Sequence, residues 1–367
     1  MIKAGRGKWS DKQIERALKA VSGSQQIKFR YDVLRGGIRR TSISASGSVS
    51  LDRFKDIQRS ARFVLDEEVD WLKDEIKPYM LLRMDGDEYA EFPLGVFVLS
   101  TPARSSANGV NTWAVEAYDR TVILVEDTLV EPLYFAADTA YMDAIQSIFV
   151  GAGITQLLIA DYVDTALPVE REFDIGMSKL QVINTLLSEI NFNPVYCDAD
   201  GRFVISQYHE PSVLDVSWEY KADKESIIGR DTESDLDFYR MPNVFIAQCS
   251  NPDMDEDYVS VYTNDNAASK FSTVQRGRNI VSEPYQPDAI ASQADLDAYI
   301  QRMAFEANQA AYEPITFVSA LNPLHERADV LSLVHPDATG VFVESAWSFP
   351  LDASGQMTHS ARRLITL

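Results

Sequence analysis

Half of the chain's four histidines fall in one stretch, NPLHERADVLSLVHP, residues 322–336. His325, Glu326, Asp329 and His335 are the residue types that ligate metals and move protons. A zinc hydrolase of the His-Glu-x-x-His type needs two histidines one helical turn apart, so that both face the ion. Counted from His325 the second would stand at 329, where Asp329 is found. The apolar run that follows has strand character, and His335 precedes Pro336, which favours an extended backbone. The stretch therefore reads as a polar turn feeding a strand. The acidic run Asp253, Asp255, Glu256 and Asp257 offers oxygens to a calcium ion, but it lacks the glycine and distal glutamate of an EF-hand loop. It reads as a solvated loop. No phosphate-binding glycine loop and no G-x-S-x-G elbow occur. The 55 carboxylates would suffice for a glycosidase pair, but no spacing selects two of them. Cys197 and Cys249 lie far apart, without metal-type spacing, and read as two buried free thiols. No catalytic, cofactor-binding or metal-ligating residue is assigned, and no cofactor is expected.

These residues sit in a chain of 367 residues with 46% hydrophobic content, enough for two to four domains with real cores. No apolar run reaches membrane-span length, and the start, MIKAGRGKWSDKQIERAL, carries no apolar signal region. The net charge of −21 is uneven. Residues 1–40 hold eleven Lys/Arg against Asp11, Glu15 and Asp32, so the remainder is more acidic than the total. Such a body repels nucleic acid, whereas the basic head suits DNA, an anionic surface or an acidic protein neighbour.

Residues 10–22 read as a short amphipathic helix, with Ser10 and Gln13 as a capping box and Ile14, Ala17, Leu18 and Val21 as its apolar stripe. From Ile27 to Tyr118 short alternating strands and turns predict antiparallel β-structure. Pro93 and Gly95 mark an edge or bulge. DTAYMDAIQSIFVGAG predicts a helix capped by Asp138. SKLQVINTLLSEI predicts a second, with Leu180, Ile183, Leu186, Leu187 and Ile190 inward. PVYC, a DADG turn and RFVISQY predict a hairpin. After VSWEY, NVFIAQC and VSVYT comes the longest helix, capped by Ser292, with Leu296, Ile300, Met303 and Phe305 as core positions. Strands close the chain.

The order of these segments resembles the bacteriophage tail hub or baseplate hub family, the tail-tip minor tail proteins that join the tail tube to a spike or fibre. The stretches that carry the resemblance are YDVLRGG, SGSVSLD with RSARFVL, PLGVFVLSTP with VEAYDRTVIL, and FDIGMSKLQVINTLLSEINFNPVYCDADGRFVISQY. VYTNDNAASKFSTVQRGR, SQADLDAYIQRMAFEA and NPLHERADVLSLV close the series. Each is weak alone; their order over residues 25–367 is the signal. In relatives the HERAD position is a turn entering a strand, and Ala328 stands where glycine is usual.

The resemblance implies an α+β, β-dominated fold with two tube-forming antiparallel β-barrel domains and inserted smaller α+β domains. The expected division is a basic arm with a short helix (1–24), a first tube barrel (25–130) and an α+β insert (131–215). A second barrel (216–250 with 311–367) is interrupted by an insertion carrying the long helix (251–310). The implied protein is a non-enzymatic virion component, made in the host cytoplasm. It would form a homotrimer, adapt a six-fold tube to a three-fold spike and line the DNA channel. Its partners would be the tube or distal-tail protein, the spike, fibre or receptor-binding protein, and the tape-measure protein, with genomic DNA only in transit and no membrane span. The basic arm is expected to dock on a neighbouring subunit. With the last strand ending near Leu367, no appended hydrolase domain is expected. The competing readings are a cell-wall glycan hydrolase and a hexameric distal-tail ring protein.

Overall fold

The computed structural model describes residues 7–20, 25–107, 109–222, 228–234, 241–251, 257–336, 338–365 and 367. The first helix, α1 (Asp11–Leu18), is followed by nine strands: β1 (Ile27–Arg35), β2 (Ile38–Ile43), β3 (Ala45–Asp52), β4 (Arg59–Leu65), β5 (Asp74–Arg83), β6 (Tyr89–Pro93), β7 (Phe97–Leu99), β8 (Ala103–Ala107) and β9 (Val110–Asp119). A mixed segment comes next, with α2 (Thr121–Glu126), β10 (Leu133–Phe135), α3 (Tyr141–Gly151), β11 (Leu157–Ile159), β12 (Arg171–Phe173), α4 (Lys179–Glu189), β13 (Tyr196–Cys197) and β14 (Phe203–Ile205). The remainder comprises β15 (Trp218–Lys221), β16 (Ile228–Ser234), β17 (Val244–Cys249), β18 (Tyr258–Thr263), α5 (Thr273–Arg276), α6 (Gln293–Ala311), β19 (Pro314–Ser319), β20 (Val330–His335), β21 (Ala338–Pro350) and β22 (Met357–Arg363).

Strands from both ends of the chain share one 15-stranded sheet. Its path runs β16-β19-β22-β21-β3-β4-β9-β7-β5-β1-β2. The seam is β21 against β3, antiparallel, with Trp347 opposite Leu51 and Phe349 opposite Val49. Alternation along β5 puts Ile76, Met80 and Leu82 inside, the period-two pattern that one buried sheet face requires. A single hydrophobic cluster then spans both blocks, from Val33, Phe63 and Phe97 to Phe317, Leu331 and Trp347. Gly47, at φ +151°, lets β3 approach β4 closely, since a Cβ there would stand 1.9 Å from the carbonyl oxygen of Arg62. Among the described residues no closed barrel is found: the strands of the two blocks, for which the resemblance implies two barrels, share this one sheet.

The apolar stripe of α1 belongs to this same core: Ile14 and Leu18 have no exposed surface. Gln13 Oε1 accepts from the Ser10 N–H at 3.0 Å, as the capping box requires. Eight residues cannot hold a helix alone in water, and the cover comes from the chain's own sheet. This corrects the expectation that the stripe docks on a neighbour. Val21 lies outside the described residues.

The mixed segment has its own core, built from α3, α4 and the small strands, with Phe149, Leu187, Phe192 and Phe203 inside. Ser178 and Gln181 cap α4 reciprocally. Asp138 does not cap α3: the N-cap is Ala140, whose backbone is drawn into a bridge with Ala166. Asp138 instead takes a left-handed conformation, φ +65°. β17 and β18 pair only with each other among the named strands and pack on α6 through Phe245, Leu296 and Ile300. Ser292 caps α6, its Oγ accepting from the Asp295 N–H; Phe305 is buried and Met303 half-buried. No helix is long and apolar enough to cross a membrane among the described residues.

Candidate functional site: the junction at residues 322–329

The segment between β19 and β20 is a turn, and it feeds β20 as the sequence predicts. Asp329 Oδ2 accepts from the Glu326 N–H at 2.9 Å and closes it. Ala328 lies at φ +56°, the left-handed region that glycine occupies at lowest cost, so the turn keeps a glycine-type conformation without the glycine. His335 ends β20 and is buried.

His325 points into the core, where it meets two residues that sequence spacing did not bring together. Glu344 of β21 lies between His325 and His359 of β22. Its Oε2 accepts from His325 Nδ1 at 2.7 Å and its Oε1 from His359 Nδ1 at 2.6 Å. On their far sides, His325 Nε2 meets Tyr220 Oη at 2.6 Å and His359 Nε2 meets Ser319 Oγ at 2.8 Å. The rings are packed as well: His325 stacks on Tyr220 and His359 on Phe317. All three ionisable side chains are at most 1% exposed. Burial would raise the Glu344 carboxyl, but the His325 charge and both imidazole hydrogen bonds outweigh it and hold the group down to about 2. Burial alone would lower His325; Glu344 overcomes it and raises the ring. His359 is lowered, because burial is not fully offset by the same carboxylate and His325 repels a second charge.

By type, His325, Glu344 and His359 could hold a divalent ion, and their ligand atoms lie within 4.8 Å of one another. Ligands around an ion at zinc-like bond lengths stand roughly 3.4 Å apart. The two nitrogen–oxygen distances here are 2.6 and 2.7 Å, the spacing of charge-assisted hydrogen bonds. The cluster is a closed polar pin that ties the turn to β15, β19, β21 and β22, and its two hydroxyl residues, Tyr220 and Ser319, are themselves buried. Of the acidic run, Asp253, Asp255 and Glu256 lie outside the described residues; Asp257 is exposed. Cys197 and Cys249 are buried and not joined in a disulfide.

The rest of the turn fastens the other modules. Arg59 of β4, 2% exposed, donates from Nη2 to Glu326 Oε2 at 2.7 Å and from Nη1 to the Leu94 carbonyl at 3.1 Å. Glu326 Oε1 also accepts from the Ala199 N–H, in the β13–β14 turn, at 3.3 Å. The Arg327 guanidinium lies over the Tyr196 ring. Nearby, both nitrogens of one Arg120 edge grip Glu75 at 2.6 and 2.7 Å while Nη1 donates to the Gly201 carbonyl. Arg302 of α6 reaches the Phe192 carbonyl at 2.7 Å. Buried, charge-assisted contacts thus set how the sheet, the mixed segment and the α6 unit sit against one another. Their chemistry is positional: the groups in them are matched to other parts of the same chain, except the Nε atoms of Arg59, Arg302 and Arg327, which are buried with no hydrogen-bond partner among the described residues.

No protein-family model and no curated protein matches the chain. Solved structures do. A tail protein from Neisseria meningitidis superposes with a TM-score of 0.64 at 12% identity, covering 91% of this chain and 96% of that one. The chain has a phage tail-protein fold. The 43 kDa tail protein of prophage MuSo2 from Shewanella oneidensis gives 0.61 at 8% identity, over 91% and 98% of the two chains. Prophage tail protein gp18 from Listeria monocytogenes gives 0.55 at 12%, over 90% and 94%. The tail-protein fold therefore accounts for nearly the whole of each chain, β-rich blocks and mixed segment together.

Proposed function

We propose that this protein is a structural component of a phage tail tip, the hub that joins tail tube to spike or fibre. The observation that carries the reading is the end-to-end match to tail proteins, at least 90% of both chains in each of three cases. The junction at residues 322–329 supports it, because its ionisable groups are spent on holding modules rigidly, as a load-transmitting part requires, and none faces a substrate cleft. The protein acts as a homotrimer with the tube or distal-tail protein above and the spike, fibre or receptor-binding protein below. The two blocks 25–130 and 216–250 with 311–367 serve as two similar tube units per subunit, so that three copies offer six units to a six-fold tube. Their joining through β21 and β3 favours this division, since one subunit then carries both units as a rigid arc and copies around the axis close the ring. The net charge of −21 suits a channel through which DNA passes without adhering. Immunogold labelling of intact virions tests the placement: gold at the tail tip supports it, and gold along the tube or on the capsid overturns it.

A further inference from the structure

β18 uses only one of its two sides. On that side it pairs with β17, from Cys249 opposite Tyr258 to Val244 opposite Thr263. The far side of β17 is covered by residues 280–286, which bond to the backbone of Val244, Ile246 and Gln248. Backbone groups alternate in direction along a strand, so Phe245, Ala247 and Cys249 are the residues that bond to β18, through Tyr262, Ser260 and Tyr258. The N–H and C=O groups of Val259, Val261 and Thr263 therefore point outward. Gln293 Nε2 donates to the Val259 carbonyl at 3.1 Å; the outward groups of Val261 and Thr263 reach no partner among the described residues. The same residues present their side chains to solvent. Val259 and Val261 are 56% and 57% exposed, and their face continues across half-buried Ile246, opposite Val261.

An open edge with apolar, β-branched side chains invites pairing with another chain, and edges that need no partner are blunted with charge or proline. β2, β8 and β15 are also edges, and they carry Arg39, Arg104 and Glu219. β18, YVSVYT, has neither a charge nor a proline. We propose that β18 is the docking edge for an extended segment of another protein, one that alternates apolar and polar residues and carries lysine or arginine at both ends. Charge selects this occupant. Exposed Asp257 and Asp265 flank the strand, and Asp297 of α6 accepts from Ser260 Oγ. A second copy of this chain, pairing antiparallel about Val261, would set Asp257 against Asp265 at both ends, which is repulsive. A segment with basic ends meets the same carboxylates as counterions. It adds a strand through main-chain bonds to Val261 and Thr263 and lays its apolar side chains beside Val259 and Val261.

Fluorescence anisotropy with the full chain tests this, using the labelled peptide Lys-Val-Thr-Val-Thr-Val-Lys and a second peptide with glutamate at both ends. The lysine-ended peptide should bind, more weakly as salt rises, and the glutamate-ended one should bind at least about tenfold more weakly. Val261→Pro removes an outward N–H and none that bonds to β17, so it should fold and weaken the lysine-ended peptide at least about tenfold. Val261→Lys keeps that N–H and covers the case in which proline disturbs the fold; its charge should weaken the same peptide by a similar factor. Val110→Lys, exposed at the start of β9, controls for added charge and should bind as wild type. Isotope-edited infrared spectra of a peptide with carbon-13 carbonyls should show a strand band only in the complex. No binding, equal binding of the two peptides, binding undiminished in Val261→Lys, or a bound peptide without the strand band would each overturn the proposal. Self-association of wild type that Val261→Lys abolishes would overturn it too, by giving the edge to a second copy.

Discussion

Replacing Glu344 by glutamine removes the charge that holds His325 and His359 together while keeping the size of the side chain. The carboxyl sits at about 2 in the folded protein against 4.5 for an unperturbed glutamate. That difference is worth about 3 kcal/mol of folding stability at neutral pH, and full burial leaves no solvent screening to discount it. The sign follows from the lowered value. The contribution is complete above pH 4.5, declines as pH falls below it, and is lost as pH passes through about 2. Glutamine also turns an N–H donor towards an imidazole N–H, so part of the penalty for an unsatisfied buried donor adds to the loss. Urea unfolding followed by tryptophan fluorescence reads this directly, since Trp347 lies three residues along β21 and Trp218 packs beside Tyr220. Glu344→Gln should cost about 3–4 kcal/mol at pH 7, with the gap from wild type narrowing steadily below pH 4.5. A cost under about 1 kcal/mol at pH 7, or a gap that is as large near pH 3 as at pH 7, would refute the charge-pinned turn.

Leu18→Ala should destabilise by about 2–5 kcal/mol, as for a buried leucine; an unchanged urea midpoint would mean that α1 is not packed on its own sheet. Ala328→Gly should stabilise, by up to about 1 kcal/mol, since glycine relieves the left-handed strain, and a loss of stability would show that the Ala328 methyl contributes packing there. In native protein neither Cys197 nor Cys249 should react with a thiol reagent, and in denaturant both should; recovery of fewer than two thiols without reduction would contradict two free cysteines. Purified protein should leave no cleared band in a zymogram of host cell wall, whereas a band lost on changing a single carboxylate to its amide would revive the hydrolase reading.

The elements were legible wherever one local signal decided them. Ser178 with Gln181, Ser292, and the alternation of strands such as β5 each encode their structure within a few residues. The turn before β20 was legible too, because Asp329 and the apolar run after it are adjacent. The partners of His325 were not: Glu344 and His359 lie on other strands, 19 and 34 residues on, and sequence holds no register to align them. The available signal was a glutamate and a histidine inside otherwise apolar strands, GVFVESAW and MTHSARR. The seam between β3 and β21 was illegible for the same reason, since nearly 300 residues separate the paired strands. Asp138 misled because its residue type favours a cap, yet the Ala140–Ala166 bridge sets the helix start two residues later.

The copy number and position of this chain in an assembled particle test the tail-hub assignment most directly. A reconstruction of the intact tail should show three copies around the axis at the tube's lower end, each contributing two sheet blocks to a pseudo-six-fold ring. Six copies in one ring, or copies found away from the tube's end, would contradict it.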